Sequence, residues 1–157
     1  MRRHPRLTFR LDVRSHELSY ALTTVGCRAI VCATSHKTSD YLAILSELVP
    51  EFATATPGSL RSRSLPDLSI VIQIGGPAHR AAIPFEDLLT VRDEAKTALA
   101  EAVSGVGFGG PTNIQFTSGT TGAPKGAPLT HHNILNNGIF VGDALFAFFK
   151  FLFKTSI

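Results

Sequence analysis

Cysteine is scarce in this 157-residue chain: Cys27 and Cys32 are all there is. Two thiols cannot make a disulfide scaffold, and no further Cys/His group completes a zinc pattern. His16, His36 and His79 are scattered without ligand spacing. Both cysteines read as thiols in or near a strand. Surplus charge is also missing from the body of the chain. Arg2, Arg3, Arg6, Arg10 and Arg14 supply five of the fifteen basic residues, and from Ser15 onward ten basic residues face eleven acidic ones. A near-neutral body offers no basic face for nucleic acid. The Arg-rich start lacks the apolar run of a secretory signal and reads as a solvated start or a short organelle-targeting stretch. The sequence does not give the compartment; an intracellular place, cytoplasmic or mitochondrial, is the expectation. No repeat period is visible. The longest apolar stretch, Ile139 to Phe153, is fifteen residues with Asp143 and Lys150 inside it, too short for a membrane span.

What is present fits one globular domain: 44% hydrophobic and 17% charged residues. Ser15 opens a helix with Leu18, Ala21, Leu22 and Val25 at helical spacing, and Gly26 is placed to stop it. Cys27 to Ala33 reads as a short buried strand. Ser39 and Asp40 open a second helix, with Leu42, Leu45, Leu48 and Val49 on its apolar side and Pro50 ending it. Leu68 to Ile74 is a β-branched strand between Pro66 and Gly75-Gly76. Val91 to Ser104 reads as a surface helix and Asn113 to Thr117 as another strand. Alternating helices and strands predict an α/β fold, a mostly parallel sheet with crossover helices. Gly105-x-Gly107-x-x-Gly110 has dinucleotide-binding spacing, but a helix precedes it and a strand follows, the reverse of what that fingerprint needs.

The chemistry concentrates in Phe116 to Gly126, FTSGTTGAPKG. It follows a strand and precedes a helix expected to be capped by Thr130. Its glycines free the backbone for tight turns, its hydroxyls donate hydrogen bonds, and Lys125 supplies a mobile positive charge. Consecutive backbone N–H groups in such a loop form an anion-binding concavity suited to nucleotide phosphates. The spacing is not that of a Walker A loop, because Gly126 stands where Ser or Thr should follow the lysine. His131 and His132 invite reading as a catalytic pair; the plainer account is a helix start, with His132 toward the nucleotide side.

FTSGTTGAPKG resembles the phosphate-loop signature of the AMP-forming adenylating enzymes. Around it, SHELSYALTTVGCRAIV, HKTSDYLAIL, LPDLSIVIQIG and NIQFTSGTTGAPKGAPLTHHNILNN are similar to medium- and long-chain fatty acyl-CoA synthetases. The resemblance implies part of the large N-terminal domain of such an enzyme over residues 14–145, between a non-matching basic start (1–13) and a non-matching Phe-rich tail (146–157). It implies ATP, magnesium, coenzyme A and a fatty acid as cofactors and substrates. By the family's motif, Thr117, Ser118, Gly119, Thr120, Thr121, Gly122 and Lys125 would wrap the ATP phosphates. The family's downstream motifs do not occur here, so the resemblance implies a fragment that is inactive alone. Two alternatives stand beside it: a non-catalytic ATP- or anion-binding module, and an interaction or membrane-surface protein using the Phe-rich tail.

Overall fold

The computed structural model describes residues 6–8, 15–37, 39–90, 93–117 and 124–154. In chain order the elements are β1 (Arg6–Thr8), α1 (Ser15–Val25), β2 (Ala29–Ala33), β3 (Ser35–His36), β4 (Ser39–Asp40), α2 (Tyr41–Leu48), a 3₁₀ turn (Pro50–Ala53), β5 (Ile70–Ile74), β6 (Ile83–Pro84), a second 3₁₀ turn (Phe85–Leu88), α3 (Asp93–Ser104), β7 (Pro111–Thr117), β8 (Lys125–Thr130) and α4 (His131–Lys154). Among the described residues the strands form three small sheets, ordered β2-β5-β6, β1-β7-β8 and β3-β4. The first is parallel throughout, with Ala29 opposite Ile70 and Ile72 opposite Ile83. In the second, β1 runs parallel to β7 and β8 antiparallel to it. The predicted α/β class with mostly parallel pairing is what the chain adopts.

Local chemistry sets the helix ends. Gly26 sits at φ +66°, where a side chain would be strained. Its N–H donates to Thr23 O at 3.2 Å and the next N–H, of Cys27, to Leu22 O at 3.0 Å, a Schellman stop for α1. Asp40 caps α2 by accepting from Ala43 N at 2.9 Å. The core lies between these helices and the parallel sheet. Leu18 and Leu22 of α1, Leu42 and Leu45 of α2, Val49, Phe52, Leu60, Leu65, Leu68 and Val71 are all buried together. Gln73 shares the inward face of β5 with Val71, two residues earlier.

Several elements depart from the sequence reading. The two-residue strands β3, β4 and β6 were not expected, and Ser39 and Asp40 form β4 ahead of the helix that Asp40 caps. β2 begins at Ala29, and its Val31 is exposed rather than buried. Between the loop after β7 and the helix capped by Thr130 lies β8. β8 contains Gly126 and Pro128 and has little β-propensity of its own. It is an edge strand formed by pairing with β7, and an edge tolerates proline. β1 lies within the basic start, where no element was expected, and is only three residues long. The helix after Thr130 continues to Lys154, through much of the Phe-rich tail.

Candidate functional site: the β7–β8 hairpin

The two stems of the glycine-rich loop are the ends of β7 and β8. Phe116 pairs with Gly126 and Thr117 with Lys125, the last rung of the ladder. Antiparallel partners lie about 5 Å apart, so residues 118–124 leave and return across one short gap. Thr117 Oγ1 donates to Lys125 O at 3.5 Å, closing the base of the loop. Thr117 and Lys125 are exposed and Pro124 half-buried. Of the seven residues singled out from the sequence, the structure brings Thr117 and Lys125 together. Ser118, Gly119, Thr120, Thr121 and Gly122 lie outside the described residues, as do Arg2, Arg3, Arg10 and Arg14 of the basic start.

Side chains alternate along β7, so Ile114 and Phe116 share one face while Gln115 and Thr117 share the other. The Phe116 ring lies against Gly126, where there is no Cβ to obstruct it: an added Cβ would meet Phe116 Cζ at 3.2 Å and Ile114 Cγ2 at 3.3 Å. A hydroxyl and an ammonium group therefore stand at the mouth of the loop, on stems braced by an aromatic ring. The Thr117 proton already goes to Lys125 O, so the charged donor at this rung is the Lys125 ammonium.

The two histidines do not join this site. Lys125 and Thr130 are opposite ends of β8, five residues or about 17 Å apart at ordinary strand rise. His131 and His132 begin α4 at the far end. Thr130 Oγ1 accepts from Asn133 N at 3.1 Å while Asn133 Oδ1 accepts from Thr130 N at 3.0 Å, a reciprocal cap. His132 N donates to Phe108 O at 3.4 Å, the His132 and Phe108 rings meet edge-on at 5.0 Å, and Asn136 Nδ2 lies 2.8 Å from His132 Nε2. His132 thus fastens the Gly105–Pro111 turn to the helix start. β8 places His132 beyond the end of the strand opposite Lys125.

Elsewhere, neither cysteine is set up as a thiolate. Burial raises the Cys27 thiol and pushes Cys32 up to about 11, so both stay protonated near neutrality. A shallow groove of about 750 Å³ runs past Glu51, Ser59, Arg61, Arg63 and Ser69, which no motif had marked. There the Glu51 carboxyl is held below its ordinary value by its own backbone N–H and by that of Arg63, whose N lies 3.4 Å from Glu51 Oε1. Among the described residues no three His, Cys, Asp or Glu side chains converge as a metal site, and no helix is long and apolar enough to cross a membrane.

The backbone follows the fold of part of a solved CoA ligase. The anthranilate CoA ligase AuaEII, solved in complex with anthranoyl-AMP, superposes with a TM-score of 0.55 over 80% of this chain and 20% of that one, at 18% identity. The family model described as AMP-binding enzyme matches residues 6–152, and the chain belongs to that family. It is 41% identical over 134 residues to the mitochondrial medium-chain acyl-CoA ligase ACSF2 of Mus musculus, covering 84% of this chain and 22% of that protein. The Danio rerio protein of the same name is 42% identical over 127 residues, covering 80% and 21%. The chain therefore spans about a fifth of the length of the curated relatives it matches.

Proposed function

We propose that this chain carries the polyphosphate-gripping loop of an AMP-forming acid–CoA ligase whose acid is a fatty acid. In that reaction a carboxylate attacks the α-phosphorus of ATP, giving acyl-adenylate and pyrophosphate. The thiol of coenzyme A then attacks the acyl carbon and AMP leaves. The observation that carries the reading is the hydroxyl- and glycine-rich run with its single lysine, closed at its base by the Thr117–Lys125 rung. Thr117, Ser118, Gly119, Thr120, Thr121, Gly122 and Lys125 would surround the β- and γ-phosphates. Their donors oppose the charge that accumulates on departing pyrophosphate. The loop has no carboxylate, so magnesium would arrive held by phosphate oxygens and shield the same charge. The ACSF2 relatives, by name medium-chain ligases of mitochondria, support both the acyl substrate and a mitochondrial place.

Gripping pyrophosphate is one part of this chemistry; acid, ATP and thiol must also be held in line. The 157-residue chain is expected to bind MgATP without catalysing pyrophosphate–ATP exchange. Calorimetry tests the binding. Lys125→Ala removes one charge-assisted contact of about 1.5–3 kcal/mol, weakening MgATP by roughly 10- to 150-fold. Unchanged affinity in that variant, or no binding by the parent chain, rejects the reading.

A further inference from the structure

Tyr20 of α1 is the outer member of an aromatic brace on the loop stems. Its ring meets that of Phe116 at 84°, with centroids 6.2 Å apart. Phe116 in turn lies across Gly126, whose added Cβ would meet the ring at 3.2 and 3.3 Å. Phe116 and Gly126 form the rung immediately before Thr117 and Lys125. One contact from α1 thus reaches both stems at once, one residue short of Thr117 and Lys125.

We propose that Tyr20 is a positioning residue for the anion-binding loop: acting through Phe116, it fixes the spacing and direction of the Thr117 and Lys125 stems. This rests on the reading of the loop given above. The physical case is that β8 is an edge strand, held along one side by β7. Its far end is anchored by the Thr130 cap and α4. The loop end relies on the packing of its last rungs. A ring pressed on a glycine resists twisting of that rung only while the ring itself is held. Tyr20 holds it from a separate element, and because Tyr20 is 44% exposed its removal takes little from the core.

The test compares the whole 157-residue chain with its Tyr20→Ala, Tyr20→Phe, Lys125→Ala and Ile44→Ala variants, titrated with MgATP by calorimetry, alongside thermal midpoints and amide exchange. An aromatic pair of ordinary strength predicts about three- to tenfold weaker MgATP binding for Tyr20→Ala, with faster exchange at Lys125 and Gly126. Tyr20→Phe keeps the ring and should bind like the parent. Ile44 packs against the core; Ile44→Ala should lower the midpoint at least as far as Tyr20→Ala while leaving affinity unchanged. If Tyr20→Ala binds like the parent while Lys125→Ala is weakened, the brace is overturned and the loop reading stands. Equal weakening by Tyr20→Phe and Tyr20→Ala also overturns it, since the hydroxyl would then be responsible. If Lys125→Ala has no effect, or the parent does not bind, both fall together.

Discussion

Gln73 offers a sharp test of how the parallel sheet is held at its carboxyl end. It is 3% exposed on a strand otherwise made of β-branched residues. Its Nε2 lies 2.9 Å from Thr34 Oγ1, 2.9 Å from Gly75 O and 2.7 Å from Pro77 O, and its Oε1 accepts from His79 N at 2.8 Å. An amide nitrogen has two hydrogens, so three acceptors share them. Thr34 Oγ1 also donates to Gly75 O at 2.5 Å. The knot joins the end of β2 to the turn after β5. Gln73→Ala strands these partners, but Gly75 and Pro77 are exposed and water can satisfy their carbonyls. Counting mainly the half-buried Thr34 and His79 groups, the loss should be about 2–3 kcal/mol. Gln73→Glu keeps the shape and replaces two donors with a carboxylate facing oxygen acceptors. Its folded pKa is then raised above the unfolded value of about 4.3. The variant should sit closest to the parent below that pH and lose stability as pH rises through the folded value. Urea unfolding followed by far-UV circular dichroism gives both numbers. A loss under about 1 kcal/mol for Gln73→Ala, or a Gln73→Glu deficit that does not vary with pH, refutes the reasoning.

Cys32, pushed up from 9.0 to about 11 by burial, should hold roughly a hundredfold less thiolate than an ordinary thiol below pH 9. Iodoacetamide at pH 8 should therefore label it far more slowly in the folded chain than in urea, and equal rates would count against its burial. Glu51 has a lowered folded pKa, so its contribution is present above the ordinary carboxyl range and lost as pH falls through the folded value. Glu51→Gln should flatten the acid limb of the stability curve, and an unaltered limb would show that the Arg63 N–H contact does not matter. Phe140 and Phe146 of α4 are 73% and 72% exposed. Replacing both with Lys should reduce self-association in light scattering without shifting the thermal midpoint, whereas an unchanged particle size would clear α4 of that role.

Local signals were legible wherever they acted alone. α1 could be read from its 3.6-residue spacing and Gly26, α2 from the Asp40 cap, and β5 from its β-branched run, because each is set by residues adjacent in sequence. β8 could not be read, since Lys125–Thr130 becomes a strand only by pairing with β7. β1 was hidden for the same reason: three residues of a basic start acquire order from a partner more than a hundred positions away. The Gln73 knot carried no signal either, a lone amide in an apolar run. For the site, the chemistry of the loop was plain from composition while its setting was not, and the difference bears on mechanism. A strand–loop–helix order would have placed the loop at a helix N-terminus, where aligned peptide dipoles attract anions. With β8 interposed, the start of α4 and its dipole lie about 17 Å away along the strand, beyond the reach of an effect that fades within one turn. Under the proposed function, anion binding would then rest on the loop's own amides and hydroxyls and on Lys125. In that arrangement the single lysine carries more of the attraction than it would beside a helix end, and this is why its removal is expected to fall in the upper part of the range for one charged contact.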